Sequence, residues 1–193
     1  MTTIRDLTEA DVPAVTAIYA HYVTGGVATF DETPPGAGEW RAKAAALTAA
    51  GLPFLVAEDD AADDGADDAA DDAADDAADD AADDGPVTGP VIGYAYLSQY
   101  RPKPAYRHSL EVSIYLAPGA TGRGLGRLLL GELIRRASAT DARSLIAVIA
   151  DGGDPASLRL HAAFGFQEAG RLSNVGFKHG RWIDTVLMQL DLR

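Results

Sequence analysis

The chain has 193 residues, 47% of them apolar, which is enough for a single domain, 1–193, with its own core. It has no cysteine, which excludes disulfides, thiolate metal sites and a cysteine nucleophile, and no apolar run approaches membrane-spanning length. The net charge of -13 is local: residues 59–84 hold 14 aspartates and no basic residue, and neither that segment nor the rest carries the basic stripe that nucleic acid requires.

The polar start Met1-Thr2-Thr3-Ile4-Arg5-Asp6 is unlike a signal peptide, so a cytoplasmic protein with no membrane partner is expected. Thr2 to Asp6 reads as a first strand. Thr8-Glu9-Ala10-Asp11 resembles a capping box ahead of Val12, Val15, Ile18, Tyr19 and Tyr22, which are spaced for one helix face. Trp40 to Ala50 reads as a second helix, stopped by Gly51 and Pro53. Phe54 to Ala57 and Val91 to Leu97 form a hairpin whose turn is expanded by an Asp-Asp-Ala-Ala repeat running from Asp67 to Asp84. A helix there would set aspartates side by side, each pair costing about 0.2–0.5 kcal/mol with no apolar face in return, so the insert is expected to be a disordered acidic loop. It lacks the glycine and terminal glutamate of a calcium loop.

Leu110 to Leu116 alternates as a strand, and Arg127 to Ser138 is an amphipathic helix with Leu125, Leu128, Leu129, Leu133 and Ile134 assigned to its buried side. Ser144 to Ile149 is a short apolar strand, Ala156 to Ala163 a helix ended by Gly165, and Phe166 to Leu172 and Trp182 to Leu190 are closing strands. The order β-α-α-β-β-β-α-β-α-β-β is α/β: a mixed, mostly antiparallel sheet flanked by helices. It is not a Rossmann unit, because the glycines follow a meander instead of the first strand.

Between the alternating strand and its helix lies Thr121-Gly122-Arg123-Gly124-Leu125-Gly126. Glycines let a ligand approach the backbone, and N–H groups at a helix start face a diphosphate with the positive end of the dipole behind them, although an ordinary strand-to-helix turn has the same composition. Leu110, Val112 and Ile114 share one strand face, and Glu111, Ser113 and Tyr115 the other. A carboxylate at Glu111 can take the proton of an ammonium; it also fits a solvated strand face. Arg101 and Lys103, beside prolines, fit either an anion-holding segment or an exposed turn. Tyr106 and Trp182 fit a small-molecule wall, though aromatic residues beside strands are more often core. Asp154 reads as a helix N-cap. His21, His108 and His179 lack metal-ligand spacing, and no metal is expected.

This order of elements, with the glycine loop after the fourth strand, resembles the GNAT superfamily of N-acetyltransferases. Its Gln/Arg-x-x-Gly-x-Gly/Ala pattern is matched by Gly124 and Gly126, with Thr121 replacing the long first side chain. The resemblance implies acetyl-CoA as co-substrate. Its pyrophosphate would lie on backbone N–H groups from Gly122, Arg123, Gly124, Leu125, Gly126 and Arg127, with Arg123 or Arg127 adding charge. Its pantetheine would pair with the strand edge at Ile114, Tyr115 and Leu116, near Asp154, where relatives commonly carry Asn.

Three further segments resemble the phosphinothricin N-acetyltransferase branch: Val27-Ala28-Thr29-Phe30, Arg101-Pro102-Lys103-Pro104-Ala105-Tyr106-Arg107, and Gly176-Phe177-Lys178-His179-Gly180-Arg181-Trp182-Ile183-Asp184. That resemblance implies a homodimer that acetylates the α-amine of a small amino-acid analogue. Phe30, Arg101, Lys103 and Tyr106 would hold the acceptor, Glu111 would be the base, and His161 would be the acid for the thiolate. Acetylation of another small amine or a peptide N-terminus, a non-catalytic coenzyme-A-binding sensor, and an acidic partner-binding protein are the competing readings.

Overall fold

The computed structural model describes residues 2–59, 91–153 and 155–192. The acidic insert beyond Asp59, and Asp154, lie outside the described residues.

Strand β1 (Thr2–Asp6) leads through a 3-10 turn (Glu9–Asp11) into helix α1 (Val12–Gly25), and then to helix α2 (Ala37–Ala49). The predicted capping residues organise this entry: the Asp11 carboxylate accepts from the Thr8 N–H at 2.7 Å and hydroxyl at 2.8 Å, and from two Arg5 nitrogens at 2.6 and 2.8 Å. Strands β2 (Phe54–Asp59) and β3 (Val91–Gln99) form the expected antiparallel hairpin, and β4 (Ser109–Leu116) pairs antiparallel with β3 along almost its whole length. Helix α3 (Leu125–Ser138), strand β5 (Ser144–Ala150), helix α4 (Ala156–Ala162) and strands β6 (Gln167–Lys178) and β7 (Arg181–Asp191) complete the chain.

The seven strands are ordered β1-β2-β3-β4-β5-β7-β6, and β4 with β5 is the parallel pair among antiparallel ones. That ladder runs only from Ser109↔Ser144 to Val112↔Ala147. Beyond it β5 pairs with β7 alone, so the last four residues of β4 keep β3 on one side and present an open edge on the other.

Each sheet face has its own core. Leu55, Leu97, Leu110, Val112 and Leu145 pack against α3, and Phe54, Tyr94 and Tyr96 pack against Val15 and Ile18 of α1 and Trp40 of α2. Strand alternation across β4 therefore separates the two cores, as the sequence predicts for Leu110 and Val112 against Glu111.

Three expectations change. The buried stripe of α3 is Leu125, Leu129, Leu130, Leu133 and Ala137, whereas Leu128 is 48% exposed. At about 100° per residue the stripe centres near Leu133, which brings in Leu130 and turns Leu128 away. Strand β6 continues six residues past Leu172, because register shifts at Glu168/Gly170 and Leu172/Gly176 absorb the irregular residues without ending the pairing. Trp182 and Tyr106 are 63% and 41% exposed, and neither belongs to the core. The turn joining β6 to β7 is His179-Gly180 with φ of 51° and 72°, the positive pair that a tight two-residue hairpin requires.

Candidate active site

The open end of β4 is held from one side by α1, where the Tyr22 hydroxyl donates to the Leu116 carbonyl at 2.8 Å. The Tyr115 ring packs against Tyr19, Tyr22 and Tyr94 and its peptide groups pair with Tyr94 of β3, so Tyr115 supports the open edge without contributing to it. On the edge abandoned by β5, the peptide groups of Ile114 and the Leu116 N–H can pair with an extended amide-bearing chain, as an added strand does.

The loop that follows begins α3. Gly122 and Gly124 have φ of 77° and 81°, a region costly for any residue with a Cβ, and no neighbouring atom crowds either one. The N–H groups of Arg127 and Leu128 reach the Gly124 carbonyl, at 3.0 and 3.3 Å. The N–H groups of Leu125 and Gly126 lie ahead of the first intrahelical acceptor and face outward at the positive end of the helix dipole. That is a fit for a diphosphate. The glycines divide the work, because a Cβ on Gly126 would lie 3.0 Å from Leu160 of α4, so that position also serves close helix packing. Thr121 is exposed, the Leu125 side chain is buried, Arg127 lies over the Phe164 ring at 5.5 Å, and Arg123 is ion-paired with Asp59 at the end of β2.

Glu111 projects from β4 on the face shared with Tyr96 and the α1–α2 layer. Burial pushes its carboxyl above the ordinary glutamate range, and the charges of Arg101 and Lys43 act against that rise. Arg101 stacks on Tyr100 at 4.9 Å, and Tyr106 meets the same ring edge-on at 5.9 Å. Lys103 starts the 3-10 turn Pro104–Tyr106 and is exposed.

Two of the motif segments meet directly. The Lys178 ammonium, only 4% exposed, donates to the Thr29 carbonyl at 2.9 Å, and Gly176 leaves room for the Phe30 ring, which a Cβ would meet at 2.4 Å. Thr29 is tied in turn to the Tyr19 hydroxyl at 2.6 Å, and that hydroxyl donates to Asp31 at 2.7 Å. Beside it lies a cavity of about 220 Å³ lined by Tyr19, Asp31, Pro35, Glu39, Trp40 and Lys43.

His161 is placed differently. It is 4% exposed on α4, edge-on to Phe166, with Nδ1 2.8 Å from the Ser157 carbonyl and Nε2 buried without a partner. A carbonyl only accepts, so Nδ1 carries the proton, and burial pushes the imidazole below its ordinary pKa. The described contacts do not join it to Glu111. Among the described residues no cluster of His, Asp or Glu is arranged to hold a metal ion.

Sequence reasoning missed Lys43 and Lys178. Lys178 was inside a recognised segment, and its inward direction followed from the alternation with exposed Phe177. Lys43 follows Trp40 by three residues, hence on the same helix face, which was its one signal.

A family model described as an acetyltransferase (GNAT) domain matches residues 86–187. The chain is 48% identical over 190 residues to phosphinothricin N-acetyltransferase of Alcaligenes faecalis, covering 98% of this chain and 82% of that one. It is 35% identical over 189 residues to L-methionine sulfoximine/L-methionine sulfone acetyltransferase of Pseudomonas paraeruginosa, covering 98% and 94%. The crystal structure of a GNAT superfamily phosphinothricin acetyltransferase from Sinorhizobium meliloti in complex with AcCoA superposes with a TM-score of 0.81 at 41% identity, covering 98% and 88%. By its split β4–β5 sheet, its glycine loop and these matches, the chain belongs to the GNAT family of acetyltransferases.

Proposed function

We propose that this chain moves the acetyl group of acetyl-CoA, by direct attack, onto the α-amine of a small amino-acid analogue of the phosphinothricin, methionine sulfoximine or methionine sulfone type. The observation that carries the reading is the loss of the β5 partner after Val112, which sets an open strand edge and the glycine loop immediately downstream of Glu111. The acyl donor supplies the activated thioester. Backbone groups of Ile114 and Leu116 on the open edge and of Gly122 to Gly126 in the loop bind and align it. Glu111, its proton affinity raised by burial, takes a proton from the acceptor ammonium and frees the lone pair that attacks the carbonyl carbon. As the C–S bond breaks, the nitrogen gives its second proton to water to leave the neutral amide, and the thiolate takes a proton from water. The alternative donor is a His161 imidazolium; burial lowers the pKa of that ring and the Ser157 carbonyl holds its Nδ1–H, which favours water.

Arg101 and Lys103 receive the acceptor carboxylate, and Phe30 and Tyr106 form apolar walls. A homodimer is supported by the exposed row Leu172, Val175, Phe177 and Trp182 on β6 and β7, which light scattering tests directly. A cytoplasmic location follows from the supply of the acyl donor.

The test of the function is coenzyme A thiol release across free amino acids, their sulfone, sulfoximine and phosphinate analogues, and peptides. Release with the analogues supports the proposal. Release with peptides alone makes the chain a peptide acetyltransferase, and tight coenzyme A binding without acceptor-dependent release makes it a sensor.

A further inference from the structure

We propose that Lys43 is the specificity cation of the acceptor site and that the cavity beside it takes a singly charged oxyanion on the acceptor side chain, of the phosphinate kind. This rests on the acetyl-transfer reading above and adds a determinant that the motif segments do not contain.

The geometry begins with how Lys43 is presented. Its ammonium donates to the Tyr96 hydroxyl at 2.7 Å and lies 4.3 and 5.1 Å from the Tyr96 and Trp40 ring centroids. It makes no ion pair among the described residues. A lysine stem fixed by two aromatic faces and a hydroxyl has lost much of the freedom that makes surface lysines poor ligands.

Glu111 is the second observation. Two cations from different elements act on it, Arg101 from the β3–β4 connection and Lys43 from α2. Lys43 sits on Tyr96, which shares the Glu111 face of the sheet, so an amine delivered to Glu111 has one cation on the β3–β4 side for the α-carboxylate and another on the α2 side for a second acidic group.

The polar groups of the cavity sort the same way. Its carboxylates are already engaged, Asp31 by the Tyr19 hydroxyl at 2.7 Å and Glu39 by the Gly36 N–H at 2.9 Å. Its cation is only partly used: the Lys43 ammonium gives one of its three N–H groups to the neutral Tyr96 hydroxyl and has two left. A ligand that brings oxygen acceptors completes this set. The two carboxylates nearby favour a monoanion over a dianion.

The experiment compares wild type with Lys43→Met, which keeps the apolar stem, and with Tyr96→Phe, which removes the hydroxyl that positions the ammonium. Binding of phosphinothricin and of neutral-headed methionine sulfone to the coenzyme-A-loaded protein is read by calorimetry. Lys43→Met is expected to weaken phosphinothricin about tenfold, the scale of one charge-assisted hydrogen bond in a half-exposed site, and methionine sulfone by no more than about twofold. Tyr96→Phe shifts the same ratio in the same direction by less. Equal effects on the two acceptors, or none in both variants, overturn the proposal. Thiol release by wild type separates the two claims: turnover of both acceptors with no discrimination by Lys43 sinks only this inference. Failure of wild type to bind or turn over either acceptor sinks the acetyl-transfer reading and this inference together.

Discussion

Replacing Gly176 by Ala tests whether the segment Val27 to Phe30 belongs to the acceptor site, because it acts on that loop through one contact. A Cβ at Gly176 would sit 2.4 Å from both Phe30 Cε2 and Cζ, and 2.9 Å from Cδ2. Ordinary contact begins near 3.4 Å, so the ring must move by about 1 Å or swing out. The Gly176 backbone needs no positive φ, so the effect is steric and not conformational. Overpacking of this kind costs about 1–3 kcal/mol in a closed core. Phe30 is 41% exposed and can yield, and alanine restricts the unfolded chain, so a net loss of about 1 kcal/mol is expected. For a domain of this size that is a melting shift of about 2–4 °C. The larger effect falls on acceptor binding: Phe30 leaves its wall while Lys178 still holds Thr29, so acceptor KM rises about fivefold to tenfold, as for one displaced aromatic contact. Coenzyme A affinity is unchanged. Steady-state kinetics on the folded variant with wild-type acceptor KM would refute the placement of Phe30.

Gly124→Val combines left-handed strain at φ 81° with a branched side chain over the loop N–H groups, and it is expected to weaken coenzyme A binding at least tenfold by calorimetry while acceptor binding holds. Asp59→Asn releases Arg123 beside the glycine loop, so the acetyl-CoA KM falls at low salt and the difference from wild type disappears near 1 M salt. Glu111 has a folded pKa raised above its unfolded value, so its contribution to stability is full below the ordinary glutamate pKa and is lost as pH rises through the folded one. Glu111→Gln is therefore expected to raise the melting temperature at neutral pH, by a margin that closes in acid. Arg101→Ala removes a cation that favours the carboxylate, and it should move the acidic limb of the kcat/KM profile to higher pH.

The element order was legible because its signals are local: alternation in Leu110 to Leu116, Gly51 and Pro53 after α2, and glycines ahead of α3. The split between β4 and β5 came only with the resemblance, which implies an edge at Ile114 to Leu116, because it arises where β5 leaves Val112 for β7, a long-range choice that neither strand records. Leu128 was misassigned because spacing fixes a stripe only once its centre is known. At the site, Glu111 and the loop glycines carry their direction in periodicity, whereas Lys43 acquires meaning only when α2 is laid over Tyr96. The burial of His161 and the hold of Ser157 on its Nδ1 were likewise out of reach, because they depend on how α4 packs over Phe166.

The pH dependence of thiol release by wild type and Glu111→Gln, with acetyl-CoA saturating and a phosphinothricin-type acceptor, tests the central claim most directly. The account predicts that the Gln variant folds, binds acetyl-CoA normally and loses about 10²–10⁴-fold in turnover at neutral pH. It also predicts recovery of up to about tenfold per pH unit as solvent deprotonates the amine. A folded Gln variant with wild-type turnover across neutral pH would contradict it.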